Sequence, residues 1–220
     1  MSVWAVLVAA GRGERLGEDR PKAFVRLGEL PLLAEPLRRL DESEWIDSVV
    51  VVVPAEWEEP AILLAEEIGA SKVSACVTGG ATRTASVRAG VADVPEDAAV
   101  ILVHDAARPL LPADVVPRLL GALGEGFDGA LPGLPLADTV KRVRDGAVAE
   151  TLSRDELVAV QTPQAFVAPV LRAALARGEE GTDCASLVEA SGGRVRVVDG
   201  DERLLKITTR ADLDRVAAWL

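Results

Sequence analysis

Short runs of β-branched and aliphatic residues alternate along this chain with amphipathic stretches of helical period. The runs at 3–8, 48–53, 73–77, 99–103, 128–131 and 194–198 read as strands. Several are apolar without interruption, as expected of strands covered by helices on both faces. The intervening stretches at 31–40, 57–68, 83–93, 113–123, 168–177, 183–191 and 210–219 read as helices. Gly69, Gly178 and Gly192 stand where C-caps belong. Thr209, followed three residues later by Asp212, resembles a capping box with a carboxylate in the first turn. The pattern predicts an α/β fold with a mostly parallel central sheet flanked by helices.

One region, about 135–155, breaks the alternation. Asp145-Gly146 lies between valine-containing runs, and both residues suit the central positions of a type I′ turn. The predicted hairpin alternates small apolar and charged residues, which is too little apolar area for independent stability. It must pack on something. Either it protrudes as an arm that docks on a second subunit, or it lies flat on its own domain. There are no repeats, low-complexity segments or linkers, so residues 1–220 are expected to form a single domain carrying this β-hairpin arm.

Composition narrows the partners. The chain has 220 residues, 49% of them hydrophobic and 27% charged, with a net charge of −11. That balance argues against nucleic acid, whose backbone requires a basic surface. It makes the local cluster Arg12, Arg15, Arg20 and Lys22 more telling, because the cluster runs against the whole. Two cysteines, Cys76 and Cys184, make no disulfide framework, and no Cys/His metal spacing occurs. No apolar run reaches membrane-spanning length, and no leader precedes the first strand. The expectation is a soluble, cytoplasmic protein with no membrane partner. Its single histidine, His104, is the only candidate for a histidine base.

The most informative segment runs from Val3 to Lys22, where an apolar strand opens into a loop with three glycines and four basic residues. Small residues let the backbone approach a ligand, and the cations can neutralise phosphate oxygens. The dinucleotide pattern G-x-G-x-x-G fails at Leu16, and a Walker A loop fails because no hydroxyl residue follows Lys22. What remains is a loop suited to a triphosphate, or else a glycine turn with a solvated basic face. His104-Asp105-Ala106-Ala107-Arg108-Pro109 follows the run 99–103, and ligands gather at the carboxyl ends of strands in such sheets. Asp105 there suits a divalent cation such as Mg2+ that bridges phosphates. His104 reads as a satisfied, partly buried side chain, and Arg108 as a phosphate contact. Thr78-Gly79-Gly80-Ala81-Thr82-Arg83-Thr84-Ala85-Ser86 either presents polar groups to a base or simply caps a helix. The Gln161-Thr162-Pro163-Gln164 turn places polar side chains at another strand end, after Leu157–Val160. Thr182-Asp183 either donates to an anion or caps a helix, and Lys206 lies among apolar neighbours.

Taken in order, these segments resemble the 2-C-methyl-D-erythritol 4-phosphate cytidylyltransferase family, within the wider Rossmann-like nucleotidyltransferase fold. The resemblance rests on Ala9 to Arg15 with Pro21-Lys22, Gly79-Gly80 with Arg83 and Ser86-Val87, and His104 to Pro109. It continues through Asp138 to Lys141, Thr151 with Arg154, Gln161 to Gln164, Thr182-Asp183 and Lys206 to Thr208. It implies a cytosine pocket from Ala9, Ala10, Gly80, Ala81 and Ser86, with Gly11 and Gly13 in the same CTP-binding set. Arg15 and Lys22 would hold the triphosphate, Lys206 would join them in catalysis, and Asp105 would place Mg2+. Arg108 and Thr182 would surround the acceptor phosphate. Thr139 and Arg154 would come from the arm of a second subunit, completing the site in a homodimer. Near the C-terminus the chain departs from the family pattern: Leu204 replaces the usual asparagine and Arg203 an acidic residue. A second metal contact from this loop would then fall to Asp201 or Glu202.

The reaction so implied transfers CMP from CTP to 2-C-methyl-D-erythritol 4-phosphate, releasing pyrophosphate. A cytidylyltransferase for another polyol phosphate, such as ribitol 5-phosphate, shares the CTP half of the site. A nicotinamide-dependent oxidoreductase is disfavoured by the broken fingerprint at Leu16. A nucleotide-sensing module would bind CTP without releasing pyrophosphate.

Overall fold

The computed structural model describes residues 2–11, 13 and 19–220. Its strands are β1 (Val3–Val8), β2 (Arg26–Leu27), β3 (Leu30–Pro31), β4 (Ser48–Val53), β5 (Val73–Thr78) and β6 (Val100–Asp105). They continue with β7 (Gly129–Pro135), β8 (Val140–Arg144), β9 (Ala147–Leu152), β10 (Val158–Val160), β11 (Gln164–Val167) and β12 (Val195–Asp199). The helices are α1 (Ala34–Glu42), α2 (Glu58–Glu67), α3 (Arg83–Ala92), α4 (Val115–Gly124), α5 (Ala168–Ala176), α6 (Cys184–Ala190) and α7 (Arg210–Ala217).

Eight strands form the main sheet, in the order β10-β7-β11-β6-β1-β4-β5, with β12 added on β7. The half built from β6, β1, β4 and β5 is parallel. Strands β10 and β11 run antiparallel to their neighbours. The sheet is therefore mostly parallel, with a mixed half that the sequence pattern does not display. These two strands are three and four residues long, too short for period to separate strand from turn. The two-residue strands β2 and β3 escape for the same reason.

The continuous apolar runs are explained by two cores. Ala5 and Leu7 of β1, Val49, Val51 and Val53 of β4, and Val100 and Leu102 of β6 face one layer, with Leu37 of α1, Leu64 of α2 and Leu119 of α4. Val6, Val50, Val52, Ile101 and Val103 face the other, with Val87 of α3, Leu171 of α5 and Val188 of α6. Successive residues of one strand thus enter opposite cores, the two-residue period of a strand covered on both faces. A smaller cluster joins Leu27, Leu32, Ile207, Leu213 and Val216, tying α7 to the β2–β3 hairpin. Phe24 packs on Trp57, with ring centroids 4.3 Å apart.

Capping follows the sequence closely. Thr209 and Asp212 form a full capping box on α7, and Gly69, Gly178 and Gly192 take the positive φ of helix ends. Strand β6 runs two residues further than the apolar pattern, so that His104 and Asp105 end the strand itself. The first helix starts at Ala34 rather than at 31, because Pro31 belongs to β3.

The arm forms as expected. Strands β8 and β9 make a separate two-stranded sheet, turning at Asp145 (φ 51°) and Gly146 (φ 78°). Its valines stay in solvent: Val143 is 58% exposed and Val148 63%.

Candidate active site

A cleft of about 1070 Å3 opens at the carboxyl ends of the parallel strands. The loop after β1 supplies Ala9, Ala10, Gly11, Gly13 and Lys22; the β5–α3 loop supplies Gly79, Gly80, Ala81, Arg83 and Ser86; Asp105 and Lys206 complete the lining. Two loops far apart in sequence thus reach one ligand space because β1 and β5 both flank β4.

The apolar wall is built from close backbone contacts. The amide of Ala9 donates to the Val52 carbonyl at 2.7 Å, and that of Gly79 to Val53 at 2.7 Å. A Cβ on Gly79 would lie 2.4 Å from Ala10 Cβ and 2.8 Å from Ser86 Oγ. One on Gly80 would lie 2.5 Å from Ala85 Cβ. Glycine is required at both by space, which leaves their amides and carbonyls near the cleft. Ser86 is buried, and its hydroxyl donates to the Thr82 carbonyl at 2.9 Å. Thr82 in turn caps α3 by accepting from the Ala85 amide.

The charged floor centres on Asp105. Its Oδ1 accepts from Arg83 Nη2 at 2.9 Å and Nε at 3.1 Å, and its Oδ2 accepts from Lys206 Nζ at 2.7 Å. Burial opposes ionisation of Asp105, but the Arg83 guanidinium and the Lys206 ammonium hold its carboxyl well below the usual carboxylate range. Asp105 is thus a fixed anion. Arg83 sits in the first turn of α3, where a cation opposes the helix dipole, so its placement is explained by Asp105 rather than by the helix. Lys22 Nζ donates to the carbonyl of Ile207, next to Lys206. The first and last loops of the chain therefore meet at the cleft.

His104 is fully buried and takes no part in the lining. Burial pushes its imidazole down to about 4, so it is neutral. Its Nε2 lies 3.0 Å from the Arg108 carbonyl, and its Nδ1 3.2 Å from Thr162 Oγ1. The expectation of a satisfied, non-catalytic histidine agrees with this placement.

Other expected site residues lie elsewhere. Arg108 turns from the cleft and donates to the Leu204 carbonyl at 2.6 Å and the Val160 carbonyl at 3.2 Å. Thr182 is exposed just before α6, whose N-cap is Asp183. Thr139 and Arg154 lie at the base of the arm, exposed and outside the lining of the cleft, with Arg154 donating to the Ala137 carbonyl. Arg12 and Arg15 lie outside the described residues. The substitute metal contacts from the C-terminal loop are not brought to Asp105. Asp201 caps its own turn by accepting from the Arg203 amide, and with Glu202 it lines a separate hollow beside Trp219. Leu204, in place of the family asparagine, is fully buried in the core. Sequence reading missed the part played by Arg83, because its partner lies 22 residues away on another element.

A glycine-walled slot and a basic floor over the carboxyl ends of parallel strands define an α/β enzyme of the nucleotidyltransferase class. Comparison narrows the class. Residues 3–220 match the family described as 2-C-methyl-D-erythritol 4-phosphate cytidylyltransferase. A protein of that name from Nocardia farcinica is 48% identical over 213 residues, covering 96% of this chain and 91% of its own. The crystal structure of the Thermus thermophilus protein of the same name superposes with a TM-score of 0.79 at 33% identity, covering 97% and 96% of the two chains. That of 4-diphosphocytidyl-2C-methyl-D-erythritol synthase from Anaerococcus prevotii gives 0.86 at 25% identity, covering 99% and 97%. The chain belongs to the 2-C-methyl-D-erythritol 4-phosphate cytidylyltransferase family. It is a CTP-dependent cytidylyltransferase, and these relatives favour methylerythritol phosphate over ribitol phosphate as the acceptor.

Proposed function

We propose that the cleft carries the transfer of CMP from CTP to 2-C-methyl-D-erythritol 4-phosphate with the following division of labour. Ala9, Ala10, Gly11, Gly13, Gly80, Ala81 and Ser86 hold the nucleotide, the small residues contacting cytosine mainly through the backbone. Arg15, Lys22 and Lys206 neutralise the triphosphate and the charge that develops at the α-phosphorus. An oxygen of the acceptor phosphate forms the new bond to that phosphorus as the bond to pyrophosphate breaks. The acceptor is already an anion near neutral pH, so no general base is required, in keeping with a neutral, buried His104. Holding both reactants in line supplies the rest, up to roughly 7–11 kcal/mol in favourable systems.

The donor set suits Mg2+ that arrives with the nucleotide. Among the described residues no three His, Cys, Asp or Glu side chains gather as a preformed site. Asp105 is a fixed carboxylate in the cleft whose oxygens keep further lone pairs, which fits a cation that takes most of its ligands from phosphate and water. When bound, Mg2+ supplies charge neutralisation at the phosphates. The protein acts as a cytoplasmic homodimer, each 220-residue domain receiving Thr139 and Arg154 from its partner's arm, with Arg108 and Thr182 near the acceptor. The exposed valines and the separate sheet of the arm support this reading.

The observation that carries the proposal is the ionised Asp105, set between Arg83 and Lys206 beside a glycine-walled slot. The test is pyrophosphate release from CTP, measured with and without Mg2+ and with methylerythritol and ribitol phosphates in parallel. Metal-dependent turnover with the first alone is expected. Lys22→Ala should lower kcat more than it weakens CTP binding, and an unchanged kcat would remove Lys22 from its role.

A further inference from the structure

Gln161-Thr162-Pro163-Gln164, which joins β10 to β11, has no part in the chemistry above, yet Gln161, Thr162 and Gln164 are all buried. Each polar side chain reaches a different segment. Gln161 exchanges two hydrogen bonds with the backbone of Asp201, donating to its carbonyl at 2.8 Å and accepting from its amide at 3.0 Å. Gly200 allows this approach, since a Cβ there would fall 2.5 Å from Gln161 Oε1. Gln164 accepts from the amides of Cys184 and Ala185 at 3.2 Å and donates to Asp183 at 2.8 Å. Thr162 takes the third direction: its Oγ1 accepts from the Asp105 amide at 3.0 Å and lies 3.2 Å from His104 Nδ1.

Register explains why a hydroxyl is needed at 162. Strand β11 pairs antiparallel with β6, with Gln164 opposite Val103. Two steps on, Thr162 stands opposite Asp105, where the ladder has ended and Pro163 has no amide to offer. The buried Asp105 amide must find an acceptor, and Thr162 Oγ1 provides it. The hydroxyl proton is then directed to His104 Nδ1, which leaves His104 Nε2–H to donate to the Arg108 carbonyl. The path Asp105 N–H to Thr162, Thr162 to His104 and His104 to Arg108 closes the 104–108 loop on itself.

We infer that Thr162, with His104 behind it, is a positioning residue that fixes the backbone of Asp105 and so the Arg83–Asp105–Lys206 arrangement. Gln161 and Gln164 hold the two flanking loops from the same turn. The inference rests on the proposed role of Asp105. Misplacing that carboxylate disturbs the reacting phosphates and leaves the base slot of Ala10 and Gly80 intact, so the loss falls on kcat.

The test compares Thr162→Val, which keeps the shape without the hydroxyl, with Thr162→Ser, which keeps the hydroxyl. Thr162→Val is expected to lower kcat by about tenfold to a hundredfold, with the KM for CTP changed less than kcat and Thr162→Ser close to the native enzyme. Because the chain has one histidine, 15N-labelled histidine gives one imidazole to read by NMR. The native protein at neutral pH should show Nε2 protonated and Nδ1 bare, and Thr162→Val should shift the Nδ1 signal. A native protein with the proton on Nδ1 overturns the inference even if the valine variant fails to fold. So does a valine variant with native kcat, or a serine variant as impaired as the valine. Asp105→Asn is run alongside. If it is fully active, the proposed role of Asp105 fails; if it is inactive while Thr162→Val is native, only the positioning role fails.

Discussion

The slot formed by Ala9, Ala10, Gly79 and Gly80 and the arm formed by β8 and β9 sit at opposite extremes of packing. In the slot, adding one carbon to Gly79 would bring atoms within 2.4 Å of Ala10. In the arm, Val143 and Val148 are more than half exposed and the two strands form their own sheet. The slot is thus specified within one chain by backbone geometry and the two cores behind it. The arm has no core of its own, and an isolated two-stranded hairpin is at best marginal in water. The two regions mark which part of the site a single chain can define and which part, in the proposed dimer, a second copy supplies.

The sharpest way to break this contrast is complementation. Lys22→Ala damages the slot side and Arg154→Ala the arm side, and each homodimer should lose most of its activity. Mixed and re-equilibrated, they should recover about a quarter of native activity, because a two-fold dimer places one intact slot against one intact arm in half of the mixed population. No recovery, with dimer formation shown by sedimentation, would place Arg154 in its own chain's site. Next in size, Gly79→Ala overpacks the slot, which typically costs about 1–3 kcal/mol. The KM for CTP should rise roughly tenfold while the acceptor KM holds. An equal rise in both would mean that the slot serves more than the nucleotide.

These contrasts were unequally visible along the chain. The slot strands announce themselves because residues entering both cores leave uninterrupted apolar runs, as Val49–Val53 does. The arm is visible through Asp145-Gly146, whose backbone conformation few other pairs favour. Strands β10 and β11 are hidden because three or four residues carry no period. The Arg83–Asp105–Lys206 arrangement is hidden because each member comes from a different element, and only the order of β1, β5 and β6 in space brings them together. Leu204 shows the reverse: its sequence raised a question about metal contacts, and burial answers it as a core position.

The third prediction concerns pH. His104 in the folded protein is depressed to about 4 from 6.5, so on acidification the unfolded chain takes up that proton first. The stability this provides is full above about pH 6.5 and is lost as pH falls towards 4. Asp105, also held below its ordinary range, withdraws its share only below the usual carboxylate range. Thermal unfolding should therefore show Tm declining from pH 7 to pH 5 in the native protein, and less steeply in His104→Gln. Matching slopes would mean that the histidine does not govern acid sensitivity. The smallest effect belongs to α7, remote from both slot and arm. Thr209→Ala removes half of the capping box and should cost about 1 kcal/mol, with kcat unchanged. A fall in kcat would instead show that α7, through Ile207, helps to set Lys206.

The contact between Phe24 and Trp57 joins the two sides of the nucleotide slot. Phe24 lies two residues beyond Lys22, and Trp57 follows Pro54 and Ala55, which line the opposite wall. An indole in that position is a built-in optical probe. Its emission should change as nucleotide draws Lys22 inward, so that CTP binding can be followed without a label, turnover or a second substrate.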